Sequence, residues 1–197
     1  MILERLLRDA ELLEREHFTR DEAHALERLV SRLAAVERYR IVRKYARGSV
    51  VDAACGCGFG SSMLARCPAV SRVLGLDSDD DAVGFARREY AGASVRFELC
   101  DLQAEELVGR LRTARADTVV SIETLEHLAD PGRFVAAVTA SPATRLIATF
   151  PSFATSAFNP YHLTDLTLSD LSAMVGRTPA KAWTIGDAVQ VAVFDLP

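Results

Sequence analysis

Val50-Val51-Asp52-Ala53-Ala54-Cys55-Gly56-Cys57-Gly58-Phe59-Gly60 is the stretch on which the rest of the chain is built. Val50 to Ala54 is an apolar run interrupted by one acid, and it reads as a short buried strand. Glycines then fall at every second position, and Ser61-Ser62-Met63-Leu64-Ala65-Arg66 reads as the start of a helix. A strand, a tight glycine turn and a helix N-terminus form a cradle. A ligand can lie against its bare backbone where a β-carbon would collide.

Downstream, the same design recurs. Arg72 to Asp77 is a second strand pattern and ends in an acid 25 positions after Asp52. Val95 to Cys100 is a third and ends in Asp101-Leu102; Asp117 to Ile122 is a fourth and ends in Glu123. Each pattern thus delivers a glycine turn or an acid at its carboxyl end, the edge at which open α/β sheets bind ligands. An acid at the tip of the second strand offers two oxygens to the two hydroxyls of a ribose. Glycine turns of this kind are shared by sheets that bind dinucleotides and sheets that bind S-adenosylmethionine.

From about Tyr39 to the C-terminus the chain resembles the class I S-adenosylmethionine-dependent methyltransferases. The resemblance implies a Rossmann-like α/β fold: a seven-stranded, mostly parallel sheet with its last strand antiparallel and helices on both faces. It implies S-adenosylmethionine as cofactor, with Asp52, Gly56, Gly58 and Gly60 shaping the loop around its methionine part. Asp77 would hold the ribose, Asp101 and Leu102 would border the adenine, and Glu123 would face the methionine end. Ala54 stands where many members carry glycine.

The bulk properties fit one cytoplasmic domain. The chain has 197 residues, 49% hydrophobic and 25% charged, which suits a soluble protein with a substantial core. A net charge of -4 offers no bulk attraction for nucleic acid. No apolar run reaches the roughly 20 residues needed to span a bilayer, and Glu4 and Arg5 interrupt the apolar N-terminus, so a secretory signal is not expected. Cys55, Cys57, Cys67 and Cys100 form no C-x-x-C pair and read as reduced thiols.

Before the glycine loop, residues 1 to 47 read as a helical extension, and 48 to 197 as the cofactor-binding core. A helical stripe runs through residues 1 to 16. A second helix is predicted from about Arg20 to Tyr45, capped by Thr19 with Glu22 and closed by Gly48. Tyr39 on this helix has two readings, contact with the cofactor carboxylate or packing on the sheet. After the loop, helices are predicted over Ser61 to Cys67, Ser78 to Tyr90, Gln103 to Arg112, Pro131 to Ala140 and Leu168 to Val175. A fifth strand spans Thr144 to Phe150, and Lys181 to Ile185 with Val189 to Phe194 forms a closing hairpin. The loop from Ser152 to Thr167 is long and lies beside the ligand edge, where such loops are usually functional.

Chemistry centres on Ser121-Ile122-Glu123-Thr124-Leu125-Glu126-His127-Leu128 and on Asn159-Pro160-Tyr161-His162-Leu163. In a helical turn, Glu123, Glu126 and His127 would share one face at i, i+3 and i+4. Three readings stand. His127 or His162 is a general base for an acceptor hydroxyl, since histidine titrates in the working range. Alternatively, Glu123, Glu126, His127 and His162 bind a divalent cation, as their pattern resembles that of small-RNA 3′-end 2′-O-methyltransferases. In the third reading these residues only brace the loop. The same words also resemble bacterial small-molecule methyltransferases, ubiquinone-type O-methyltransferases among them. The expectation is a cytoplasmic methyltransferase acting on a small-molecule or saccharide acceptor at oxygen, with His127 and His162 as catalytic candidates and no metal ligand assigned. Outside that class stand a non-catalytic S-adenosylmethionine-binding protein and a short NAD-binding module. Asp101 and the closing hairpin argue against the last.

Overall fold

The structure, a computed structural model, describes residues 33–197. The helical stripe over 1 to 16 and the capping box at Thr19 lie outside the described residues. Helix α1, residues 33–42, carries the end of the second predicted helix. The core then runs β1 Gly48–Ala53, α2 Phe59–Ala65, β2 Val70–Asp77, α3 Asp80–Tyr90, β3 Val95–Leu99, α4 Leu107–Ala114 and β4 Thr118–Ile122. A 3-10 turn, Leu125–His127, leads to α5 Pro131–Thr139, β5 Arg145–Pro151, α6 Leu168–Val175, β6 Lys181–Ile185 and β7 Val189–Asp195.

The seven strands form one sheet in the order β3-β2-β1-β4-β5-β7-β6. Neighbours from β3 to β5 are parallel, and β7 is antiparallel to both β5 and β6. This is the Rossmann-like methyltransferase arrangement that the sequence predicts. Its cause is visible in adjacent residues. Val51, Val119 and Leu146 point into one apolar cluster, while their neighbours Val50, Val120 and Ile147 point into the other. A strand buried on both faces needs apolar residues at consecutive positions, so the central strands read as continuous apolar runs. Leu107, Leu111, Phe134, Val138 and Leu171 bring α4, α5 and α6 to the first face. Tyr39, Val42, Leu64, Val83 and Ala86 bring α1, α2 and α3 to the second.

Strand order reverses at β1, which pairs with β2 on one side and β4 on the other. The crevice beyond that reversal is where such sheets hold ligands. Some boundaries differ from expectation. Gly48 does not close a helix; it opens β1 with φ 66, and a β-carbon there would collide with Asp117. Helix α4 starts at Leu107 rather than Gln103. Asp101 Oδ1 accepts the Gln103 amide at 2.8 Å, which turns the chain before a helix can start. Helix α2 starts at Phe59, two residues early, because left-handed Gly58 serves as its cap. No helix among the described residues is long and apolar enough to cross a membrane. The four cysteines are free thiols.

Candidate functional site

The glycine loop leaves β1 through Ala54 at φ 58, Gly56 at φ 53 and Gly58 at φ 84. Left-handed backbone suits glycine and strains alanine, which accounts for the glycine often found at the Ala54 position. The three glycines of the motif have three different reasons. A β-carbon on Gly58 would lie 2.6 Å from that of Ala86 and 2.8 Å from the Phe97 ring. One on Gly60 would overlap the Tyr39 ring. At Gly56 it would meet nothing within 4 Å, so this side of the loop is open.

Asp52 lies beneath the loop, fully buried. Its carboxylate accepts the Ser61 hydroxyl at 2.6 Å and the Tyr39 hydroxyl at 3.2 Å to each oxygen. Burial pushes its pKa up to about 7, the Ser61 and Tyr39 donors oppose that rise, and the charge of Asp77 adds to it. Tyr39 is thus packed on the sheet, the second of its two readings, and ties α1 to the loop. Burial and Asp52 push its phenol well above the ordinary range.

Asp77 ends β2 half-exposed. Its Oδ2 accepts the Gly56 amide at 2.7 Å and its Oδ1 the Asp79 amide at 3.0 Å. Asp101 is exposed beyond β3, and Leu102 is buried in the first cluster. The Cys100 amide donates to the Asp77 carbonyl at 2.8 Å, which holds the ends of β2 and β3 together. Asp77, Gly56, Asp101 and Leu102 therefore share the carboxyl edge, while Asp52, Gly58 and Gly60 shape the loop from behind.

Glu123 departs from the predicted helical turn. It adopts φ 49, and only Leu125–His127 is helical, as a 3-10 turn. That residue breaks the phase, so Glu123 does not stand in line with Glu126 and His127. Its amide donates to the Thr149 carbonyl at 3.0 Å. Its carboxylate accepts the Thr149 hydroxyl at 2.9 Å and pairs with Arg38 of α1 at 3.2 Å.

Glu126, His127 and His162 do come together, with one ligand atom from each within 4.8 Å of the others. Glu126 is 1% exposed, and neither carboxylate oxygen has a hydrogen-bond partner. Burial pushes its carboxyl up to about 8, and Glu123 adds to the rise. His127 Nδ1 lies 2.8 Å from the Tyr161 carbonyl. A carbonyl only accepts, so Nδ1 carries the hydrogen and neutral His127 keeps a lone pair on Nε2. The His162 ring meets His127 edge-on, 4.7 Å between centroids, and its Nδ1 is 2.6 Å from the buried Thr155 hydroxyl. Burial, then His127, pushes the His162 pKa down.

The loop holding His162 is pinned at both ends. Leu163 and Thr164 donate to the Glu126 carbonyl at 2.7 and 3.1 Å. Asp165 accepts the Thr155 and Ser156 amides at 2.7 and 3.0 Å. Sequence reasoning missed Arg38, Thr149, Thr155 and Asp165. Each acts through a contact with a distant segment, and no local pattern marks them. Ser61 is the partial exception: a hydroxyl one turn into the helix after an acid-ended strand is a signal that could have been read.

Against known proteins, residues 50–141 match a family model described as a methyltransferase domain. A probable S-adenosylmethionine-dependent methyltransferase of Mycolicibacterium smegmatis is 28% identical over 145 residues, 69% of this chain and 53% of that protein. The ubiquinone biosynthesis O-methyltransferase of Pseudoalteromonas translucida is 32% identical over 88 residues, 45% of this chain and 36% of that one. The chain spans about half the length of the first of these relatives. In fold, magnesium protoporphyrin IX methyltransferase from Synechocystis, with SAH bound, superposes with a TM-score of 0.65 at 16% identity, over 96% of this chain and 93% of that one. Across residues 50–141 the chain is thus similar to a methyltransferase domain, and its seven-stranded sheet has the Rossmann-like methyltransferase fold.

Proposed function

We propose that the chain transfers a methyl group from S-adenosylmethionine to a hydroxyl of a small-molecule or saccharide acceptor, with His127 as the base. The observation that carries this reading is the Tyr161 carbonyl on His127 Nδ1, which takes the ring hydrogen there and makes Nε2 the acceptor of the neutral ring. The residues present fit the cofactor: the open side of Gly56 admits a ligand, and Asp77 keeps acceptor capacity for a ribose diol. When bound, the cofactor supplies an electrophilic methyl group. Asp77 would hold the ribose, Asp101 and Leu102 the adenine edge, and Glu123 with Arg38 the methionine end. Asp52, Gly58 and Gly60 keep the loop in shape. His127 Nε2 takes the acceptor proton, and His162 keeps the neighbouring space neutral. Alignment of the acceptor does the remainder of the work. The test follows label from methyl-labelled cofactor into an acceptor panel of phenols, sugars and a short RNA. In the reading proposed, His127→Ala lowers turnover about 100-fold or more with cofactor affinity intact; an unchanged rate removes the base.

One observation favours a second reading, metal-assisted methylation at an RNA 3′ end. Glu126 is a buried carboxylate without a partner, and His127 and His162 stand beside it. A divalent cation there would supply Lewis-acid chemistry toward a hydroxyl. Turnover on the RNA, abolished by chelator and restored by manganese, would favour it over the first.

A further inference from the structure

The loop between β5 and α6 is built inside out. Among the described residues, nine large apolar side chains are more than a third exposed, and four of them are in this loop: Phe153 at 53%, Phe158 at 69%, Tyr161 at 75% and Leu163 at 60%. Phe153 and Phe158 stack with ring centroids 6.3 Å apart. Most polar side chains of the same loop are already engaged. Thr155 meets His162, Ser156 donates to Asp165, Thr164 donates to the Leu128 carbonyl and Asn159 accepts the Tyr161 amide. Leaving this much apolar surface in water is unfavourable, at about 25 cal/mol per Å². A loop so well pinned keeps that surface in one place, which suits a ligand that covers it.

Chemistry narrows that ligand. Residues 152–167 contain no lysine or arginine, so the wall offers no cation to a phosphate chain. A saccharide presents several hydroxyls that need partners when bound, and most of the loop's polar side chains are already engaged, the exposed Tyr161 hydroxyl aside. What the wall offers is chiefly apolar and aromatic contact, with one phenol hydroxyl among it. The wall also reaches the candidate base directly, since the Tyr161 carbonyl holds His127 and His162 is the next residue.

We propose that Phe153, Phe158, Tyr161 and Leu163 form the acceptor wall, and that the acceptor is an uncharged hydroxylated aromatic compound rather than a saccharide or a nucleic acid. This rests on the methyltransferase reading and narrows its acceptor class. The test uses the full chain with 2-naphthol as fluorescent probe, methyl glucoside and a short RNA as competitors, and phosphatidylcholine vesicles. S-Adenosylhomocysteine is titrated into the same samples. The wall predicts saturable naphthol binding that weakens about tenfold, some 1.4 kcal/mol, in Phe153→Ser and in Phe158→Ser. Both positions are exposed, so the variants keep their fold and their S-adenosylhomocysteine affinity. Equal naphthol affinity in parent and variants overturns the proposal, as does displacement by the glucoside or the RNA, or a loop dependence confined to vesicle binding. If S-adenosylhomocysteine binds while any of these holds, only the acceptor class fails. If it does not bind, the methyltransferase reading fails and takes this wall with it.

Discussion

Asp52 is a fully buried carboxyl, held by two hydroxyls and shadowed by Asp77. Folding raises its pKa from 3.8 to about 7, so the folded chain binds that proton more tightly than the unfolded one. The stabilisation is complete below about pH 4 and is lost as the pH rises through about 7. A shift of this size is worth on the order of 4 kcal/mol. Asp52→Asn removes the titration while keeping an acceptor for Tyr39 and Ser61. Denaturant unfolding at pH 5, 6, 7 and 8 should show the variant gaining on the parent by a few kcal/mol across the range; parallel curves would contradict the assignment. At this scale the sequence was half legible. The spacing of Asp52, three glycines and Asp77 marks the loop. What each one does depends on Phe97, Ala86 and Tyr39, which come from other elements.

The loop from Ser152 to Thr167 and the turn Leu125–His127 act as one element, because each supplies the other's hydrogen bonds. Asp165 is the pin. The Ser156 hydroxyl and the Ser156 and Thr155 amides hold its carboxyl below the usual range, so the pin persists into mild acid. In Asp165→Ala the Thr155 and Ser156 amides should exchange with solvent at least about tenfold faster, while global stability changes by less than about 1 kcal/mol, as for a locally opening segment. Unchanged exchange would show that the loop is held elsewhere. The sequence marked this loop as functional by its length and joined His162 to His127 in one of its three readings, the divalent-cation one. It could not place Glu123, because one left-handed residue resets the helical phase on which the i, i+3, i+4 argument stood. Helix α4 shows the same limit, since one aspartate side chain decides where it starts.

The whole molecule was the most legible level. Apolar runs separated by helices, with an acid or glycine at each strand end, leave a doubly wound sheet as the consistent solution, and the closing hairpin supplies the antiparallel strand. That sheet gathers Gly56, Asp77, Asp101 and Glu123, which are far apart in sequence, along one edge. The central claim is that this edge is a cofactor site. It is tested most directly by thermal unfolding with S-adenosylmethionine, S-adenosylhomocysteine or NAD, on the parent and on Asp77→Ala. At a hundredfold excess over its dissociation constant a ligand adds about 2.7 kcal/mol, or roughly 5–10 °C for a chain of this size. The account predicts that shift with both sulfur compounds, none with NAD, and its loss in Asp77→Ala. Millimolar concentrations of either sulfur compound leaving the melting temperature unmoved, or a shift that survives in Asp77→Ala, would contradict it.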